Sequence, residues 1–418
     1  MVRRPGNLPV DLSSFVGRTD ELAEGLRHLI GTRFLTVTGP GGVGKTRLVL
    51  RLADRLRRRF GDGVWRAELS GTADPVAALA DALELRGASS ASEIASTLRG
   101  RRLLVVLDTC EHLLGEVAEL VRALLGGAPE IVVVATSRRR LGLPGERVLE
   151  LAPLPLPSAV RLFEDRAVAA DPGFTLTAAL SPVVAEICGR LDGLPLAIEL
   201  AAARMRSMSA RDLLERLRHR LTVLTGVSRS VLPRHRDLRA SVQWSYRLCD
   251  DEQRELWALL SALPGSFDLA GAERACGTAF AAERVAPVLA ELVERSVVLR
   301  EPGGRHRMLE AYREVGLEPS GGRWRPAVQG LLGGAGRPSG TRQAGHQARA
   351  VTGALSAREL QVAELITEGL SNPEIAARLD IAKRTVDAHV RNILAKGGLV
   401  SRTQVASWVA ESDPRTSI

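Results

Sequence analysis

Lysine is almost absent: in 418 residues the only ones are Lys45, Lys383 and Lys396, against an abundance of arginine. Arginine dominance of that kind reflects codon composition, as in a GC-rich genome, so where the lysines fall says more than how few they are. No apolar run approaches the roughly 20 residues that a membrane helix requires, which argues against a membrane protein. The basic start MVRRPGNLPVDLSSF lacks the apolar stretch of a secretory signal. Cysteine is also sparse. Cys110, Cys188, Cys249 and Cys276 form no CxxC pair, which suggests reduced thiols in a cytoplasmic protein and no structural metal site. What is present, 45% hydrophobic and 25% charged residues, suits a globular chain too long for one ordinary core, so about two to four domains are expected. The formal charge of +9 hints at a polyanionic partner, although charge speaks to binding and not to fold.

Along the chain, four short β-branched runs alternate with helical patterns: FLTVT at 34–38, GVWRAEL at 63–69, RLLVVLD at 102–108 and IVVVAT at 131–136. That alternation predicts a parallel sheet covered by helices. Pro153, Pro155 and Pro157 punctuate the chain, and from about Ser158 to Leu224 the apolar spacing is helical. More helices follow in 233–315, with VVLREPGGRHRML as a candidate two-stranded wing. The stretch from Leu317 to Thr352 is rich in Gly, Pro, Arg and Gln without periodicity and reads as a flexible linker. In the last segment, Ser356 to Glu359, Ser371 to Glu374 and Ser401 to Gln404 each have the capping-box pattern with apolar flanks. A further helix, from about Lys383 to Lys396, follows the short Leu379 to Ala382 connection and makes a helix-turn-helix.

Gly39-Pro-Gly-Gly-Val-Gly-Lys45-Thr46 follows a predicted strand and opens a predicted helix, the context of a Walker A loop. There the backbone amides across Gly39, Gly41, Gly42, Val43 and Gly44 would close around phosphates. Lys45 would reach the outer phosphates, and Thr46 would ligate magnesium. Asp108 ends an apolar strand and is the candidate Walker B carboxylate, a magnesium ligand through water; Glu111 is the other candidate catalytic carboxylate. Arg138 closes the next strand, where it would sense the γ-phosphate. The plainer alternatives are a Gly-rich turn, a strand-terminal Asp capping a turn, and an Arg138 solvated beside Arg139 and Arg140.

These motifs together resemble the STAND-class signal-transducing ATPases with an NB-ARC-like core, and the last segment resembles the LuxR-type helix-turn-helix. Phe15-Val-Gly-Arg18 resembles the adenine-side motif of that class, Leu107-Asp-Thr-Cys-Glu-His112 its Walker B region, and Gly193-Leu-Pro-Leu196 its GLPL motif. The resemblance implies that Val16 and Gly17 contact the base through their backbone and that Pro195 packs on it, with ATP or ADP and Mg2+ as cofactors. Two departures matter. Thr109 follows Asp108 where relatives often carry an acidic or amide residue, so at most slow hydrolysis is expected. Arg307-Met-Leu-Glu310 stands in place of a Met-His-Asp sensor, so any contact with nucleotide falls to another residue, such as His306.

In LSARELQVAELITEGLSNPEIAARL and AKRTVDAHVRNILAKGGLVSR the resemblance places Lys383, Arg384 and Thr385 near DNA phosphates, with Asp387, Ala388 and Arg391 facing the major groove. Lys396 and Arg402 complete the basic cluster. Ala382 in place of a serine cap, Asp387 in place of a basic residue and Lys396-Gly-Gly at the helix end depart from the pattern.

The fold class expected is therefore multidomain: an α/β P-loop NTPase core with a parallel sheet over 8–153, a helical lid over 154–232, a winged-helix-like unit over 233–315, a linker over 316–353 and an all-α LuxR-type helix-turn-helix over 354–412. The expected function is transcription regulation with nucleotide as a conformational switch. Its expected partners are double-stranded DNA, a second copy on DNA and RNA polymerase, with no membrane. The alternative is a P-loop ATPase whose helical C-terminal bundle docks a protein.

Overall fold

The computed structural model describes residues 5–11, 13–217, 238–263, 265–276, 280, 282–318, 357–367, 370 and 372–397. The chain forms two compact units, Met1–Ala335 and Gly336–Ile418.

The first unit is built on five parallel strands, β1 (Phe34–Thr38), β2 (Val64–Glu68), β3 (Leu104–Asp108), β4 (Val132–Thr136) and β5 (Arg147–Glu150), in the order β2-β3-β4-β1-β5. Because side chains alternate along a strand, each central strand feeds two cores. Leu104 and Val106 of β3 enter one, Val105 and Leu107 the other. The runs at 34, 63, 102 and 131 form β1 to β4. β5 was not expected: at this sheet edge only Leu149 of Arg147–Glu150 is buried, so no apolar run marks it. From β1 the chain goes to the far edge and returns through β3 and β4, while β5 lies on the other side of β1. The loop after β1 thus opens at a switch point, where ligands of open α/β sheets bind.

Helices Leu156–Ala170, Ser181–Arg190, Pro195–Ala202 and Ala210–Leu217 follow the sheet. Beyond them come helices Leu238–Arg247, Asp251–Ser261, Leu269–Cys276 and Ala282–Glu294. A small antiparallel sheet joins β6 (Ser266–Phe267), β7 (Val298–Arg300) and β8 (His306–Met308) in the order β6-β8-β7. The β7–β8 pair is the expected wing, and β6 adds a third strand. Helix Glu310–Leu317 continues past 315, the expected end of this region, and Glu318 accepts from Arg239 Nη2 at 2.8 Å. One continuous apolar cluster runs from Leu22 and Leu48 through Phe163 and Leu194 to Trp257, Tyr312 and Val315. The sheet, the lid helices and the winged-helix region therefore share a core.

The second unit consists of helices Ala357–Thr367, Asn372–Leu379 and Lys383–Gly397 around Val362, Ile366, Ile375, Val386, Val390 and Ile393. Asp380 turns the chain between the last two helices with φ 51°, a left-handed value that Asp tolerates better than most residues. The guanidinium of Arg358 donates to Leu379 O at 2.7 Å and fastens that turn to the first helix. The expected caps Ser356, Ser371 and Ser401, with Arg402, lie outside the described residues, as does most of the expected linker. Among the described residues no helix is long and apolar enough to cross a membrane.

Candidate functional site

Between β1 and helix Lys45–Leu56 the glycine loop turns with φ 141° at Gly39, 79° at Gly42 and 98° at Gly44. A side chain at Gly39 would strike Leu151 O, just after β5, at 2.5 Å, so the tight turn requires glycine on both counts. Gly41, Gly42, Gly44, Lys45 and Thr46 line a cleft of about 430 Å³. Val43 is instead fully buried beneath the loop. Lys45 Nζ folds back over the loop and donates to Gly39 O at 2.7 Å and Pro40 O at 3.0 Å.

Asp108 is fully buried. Its Oδ1 accepts from Thr46 Oγ1 at 2.8 Å and from Thr136 Oγ1 at 2.6 Å, and its Oδ2 accepts from Arg66 Nε at 3.2 Å. Arg66 was not singled out in the sequence. It lies on β2 two residues before Glu68, which is opposite Asp108 in the register, and alternation brings both side chains to that face. Thr109, next in the chain, takes φ 70° and donates its N–H to Thr136 Oγ1 at 2.8 Å.

Glu111 and Arg138 form a buried ion pair at 3.0 Å on the cleft wall, with Glu111 Oε2 left without a hydrogen-bond partner. Arg138 is 6% exposed, so a solvated side chain is not what the structure shows. Its Nη1 donates to Ser245 Oγ and its Nη2 to Ser241 O at 3.2 Å, both on helix Leu238–Arg247, while its own carbonyl accepts from Ser296 Oγ at 2.7 Å. The winged-helix region also reaches the loop directly, through the Gly41 N–H, which donates to the Tyr312 hydroxyl at 2.7 Å. Neither Leu309 nor His306 makes such a contact: Leu309 is buried in the core and His306 stacks on Phe267. Tyr312 carries no motif; its only sequence signal is its place on the inward face with Leu309 and Val315.

On the opposite wall, Pro195 and Leu196 line the cleft, and Leu196 N donates to Gly42 O at 3.1 Å. Val16 and Gly17 are not among the lining residues; Gly17 faces Ser158 and Leu154. Arg18 is the member of that motif that touches the loop, with Nη2 donating to Val43 O at 3.2 Å. Asp192, just before Gly193-Leu-Pro-Leu196, accepts from Arg307 Nη1 at 2.7 Å and from Glu310 N at 2.6 Å, so the GLPL turn and the last helix are tied together.

Burial pushes the Lys45 ammonium down to about 7, with Arg138 adding to the effect and Glu111 and Asp108 opposing it. Arg138 and Lys45 hold the Glu111 carboxyl below its usual range despite burial. Phosphates would favour charged Lys45 and so return its pKa toward the ordinary 10.5. A complex that binds an extra proton loses affinity as pH rises. We therefore expect ADP binding above about pH 7 to take up a proton and to weaken with pH, by at most about tenfold per unit. Calorimetry in buffers of different ionisation heat checks this; binding with no proton uptake anywhere between pH 7 and 9 contradicts it.

In the second unit Lys383, Arg384 and Thr385 are exposed at the start of helix Lys383–Gly397, while Asp387 and Ala388 are half-buried. Asp387 Oδ1 accepts from Asn372 Nδ2 at 2.7 Å, which binds it to the preceding helix. The side chains of Arg391 and Lys396 lie outside the described residues.

The family model "Novel STAND NTPase 1" matches residues 9–141, and "Bacterial regulatory proteins, luxR family" matches residues 353–409. "Uncharacterized protein Rv0894" of Mycobacterium tuberculosis is 36% identical over 319 residues, covering 73% of this chain and 81% of that one. "Putative HTH-type transcriptional regulator Rv0890c" of the same organism is 39% identical over 304 residues, 70% of this chain but 34% of the relative, so the chain spans about a third of that protein's length. Among solved structures, the Walker-type ATPase of Pyrococcus abyssi matches with a TM-score of 0.52 at 12% identity, over 75% of this chain and 99% of that one, a likeness of fold.

Proposed function

Because the chain belongs to the STAND class of P-loop NTPases and carries a LuxR-family helix-turn-helix, we propose that it is a nucleotide-responsive transcription regulator, with ATP or ADP setting the packing of its winged-helix region. The glycine loop fits a diphosphate: Gly41, Gly42, Gly44, Lys45 and Thr46 line the cleft and Lys45 lies across it. Thr46 and Asp108, 2.8 Å apart, would hold magnesium, which when bound neutralises phosphate charge. Pro195 and Leu196 would flank the base.

The observation that carries the switch is Arg138. One guanidinium is paired with Glu111 on the cleft wall and bonded to Ser241 and Ser245 of the winged-helix region. A phosphate that recruits Arg138 competes with those bonds, and such differential interaction is what a ligand needs to shift a conformational equilibrium. Thr109 supplies no acid beside Asp108, and Glu111 has one of its two carboxylate oxygens held by Arg138. Turnover is therefore slow, below about one per minute against the 1 to 1000 per second of dedicated enzymes. Many turnovers per second without DNA binding would favour a protein-docking ATPase.

DNA is taken by the helix Lys383–Gly397. Lys383, Arg384 and Thr385 meet phosphates at its start, Ala388 and Arg391 share a face three residues apart, and Lys396 extends the positive side. The test is a salt titration of the full-length chain on selected and random duplexes, with ADP and with a non-hydrolysable ATP analogue. Affinity falls with salt as phosphate-bound counterions are displaced, and the two nucleotides give different affinities. Arg391→Ala weakens selected binding by about 1–3 kcal/mol. Asp387→Ala removes a phosphate-repelling charge and also the bond to Asn372, so nonspecific affinity rises while base preference relaxes. No salt-dependent affinity for any duplex with either nucleotide refutes the reading.

A further inference from the structure

We infer that Tyr312 makes the phosphate loop selective for a nucleoside diphosphate over a triphosphate, an assignment that rests on the nucleotide-binding reading above. The loop has two limbs. At the helix end, the amides of Gly44, Lys45 and Thr46 form the cradle that P-loops offer to the inner phosphates. At the other limb, Lys45 Nζ lies on Gly39 O and Pro40 O, and a P-loop lysine reaches the outer phosphates. The terminal phosphate of a triphosphate therefore belongs beside Gly41. That is where Arg138 stands, since a methyl on Gly41 would be 2.7 Å from Arg138 Nη1 and 2.5 Å from Ser241 Oγ.

In this structure the Gly41 N–H is already used: the Tyr312 hydroxyl accepts it at 2.7 Å. The ring is fully buried, stacked on Trp257 at 5.6 Å between centroids, and its carbonyl accepts from Trp257 Nε1 at 2.9 Å. A phenol held from behind by a tryptophan cannot swing aside alone. A diphosphate leaves the Tyr312 bond in place, whereas a triphosphate must break it, lifting helix Glu310–Leu317 as it does so.

Tyr312→Phe separates the hydroxyl from the ring, keeping the stack on Trp257 while freeing the Gly41 amide. Measured by calorimetry on the full-length chain, the substitution tightens a non-hydrolysable ATP analogue by about tenfold and leaves ADP within about twofold, the scale of one hydrogen bond no longer broken. Hydrogen exchange on the wild-type chain needs no variant: residues 310–317 exchange faster with the ATP analogue than with ADP. If wild type binds neither nucleotide, the phosphate-loop reading falls and this one with it. If it binds both, but the ATP-to-ADP ratio is unmoved by the substitution or exchange in 310–317 is the same with each, Tyr312 has no such role although the site stands.

Discussion

Lys45→Ala loses nucleotide binding by more than about 100-fold under the proposed function, because the ammonium would make charge-assisted bonds to two phosphates, each worth about 1.5–3 kcal/mol. The other cations on the cleft wall cannot replace it. Arg138 stands beside Gly41, at the place of a terminal phosphate, and Arg47 donates to Ser14 O at 3.0 Å and Ser13 Oγ at 2.8 Å. The same substitution leaves the melting temperature of the free protein unchanged or slightly raised, since burial already presses Lys45 toward its neutral form. Calorimetric titration beside a thermal melt checks both statements, and ADP affinity within threefold of wild type would overturn the phosphate-loop assignment.

Trp257→Ala destabilises the first unit by about 3–5 kcal/mol and lowers its melting temperature by about 5–10 °C. Trp257 is fully buried, stacks on Tyr312 and meets Tyr246 edge-on at 5.4 Å. Gly316 packs so closely on it that a methyl there would stand 2.6 Å from Trp257 Cδ1. The void left by alanine therefore lies under the helix that carries Tyr312. The second unit, which has its own core, keeps its transition. A loss below about 1 kcal/mol in urea melts would mean that the site collapses to fill the void.

Much of this architecture was legible in the residues because its signals are local. The inner strands β3 and β4, LVVLD and VVVAT, are apolar up to their last residue, since a strand covered on both faces has no polar side, and the glycine loop must be glycine where φ is positive. What was missed depends on pairing across the chain. β5 has one buried residue and exists only through its register with β1. Arg66 reaches Asp108 because β2 lies beside β3. Tyr312 meets Gly41 across 271 positions. The adenine-side motif shows the reverse case, a local pattern whose expected contacts at Val16 and Gly17 are not on the cleft, while Arg18 holds the loop. At the helix-turn-helix, spacing located the three helix starts that the described residues include but not the Asn372 bond that takes up Asp387.

The apolar cluster that joins one face of the sheet to the winged-helix region bears on cooperativity and on rate. Regions that share a core melt together, so calorimetry of the first unit should give one endotherm with matching van't Hoff and calorimetric enthalpies. Any movement of helix Glu310–Leu317 away from the loop exposes part of that core and behaves as partial unfolding, on a timescale of microseconds to seconds and with an increase in heat capacity. Under the proposed function, the response to nucleotide would be that of a latch, slow and between discrete positions, with its sensitivity to temperature set by the apolar area uncovered as much as by the phosphates.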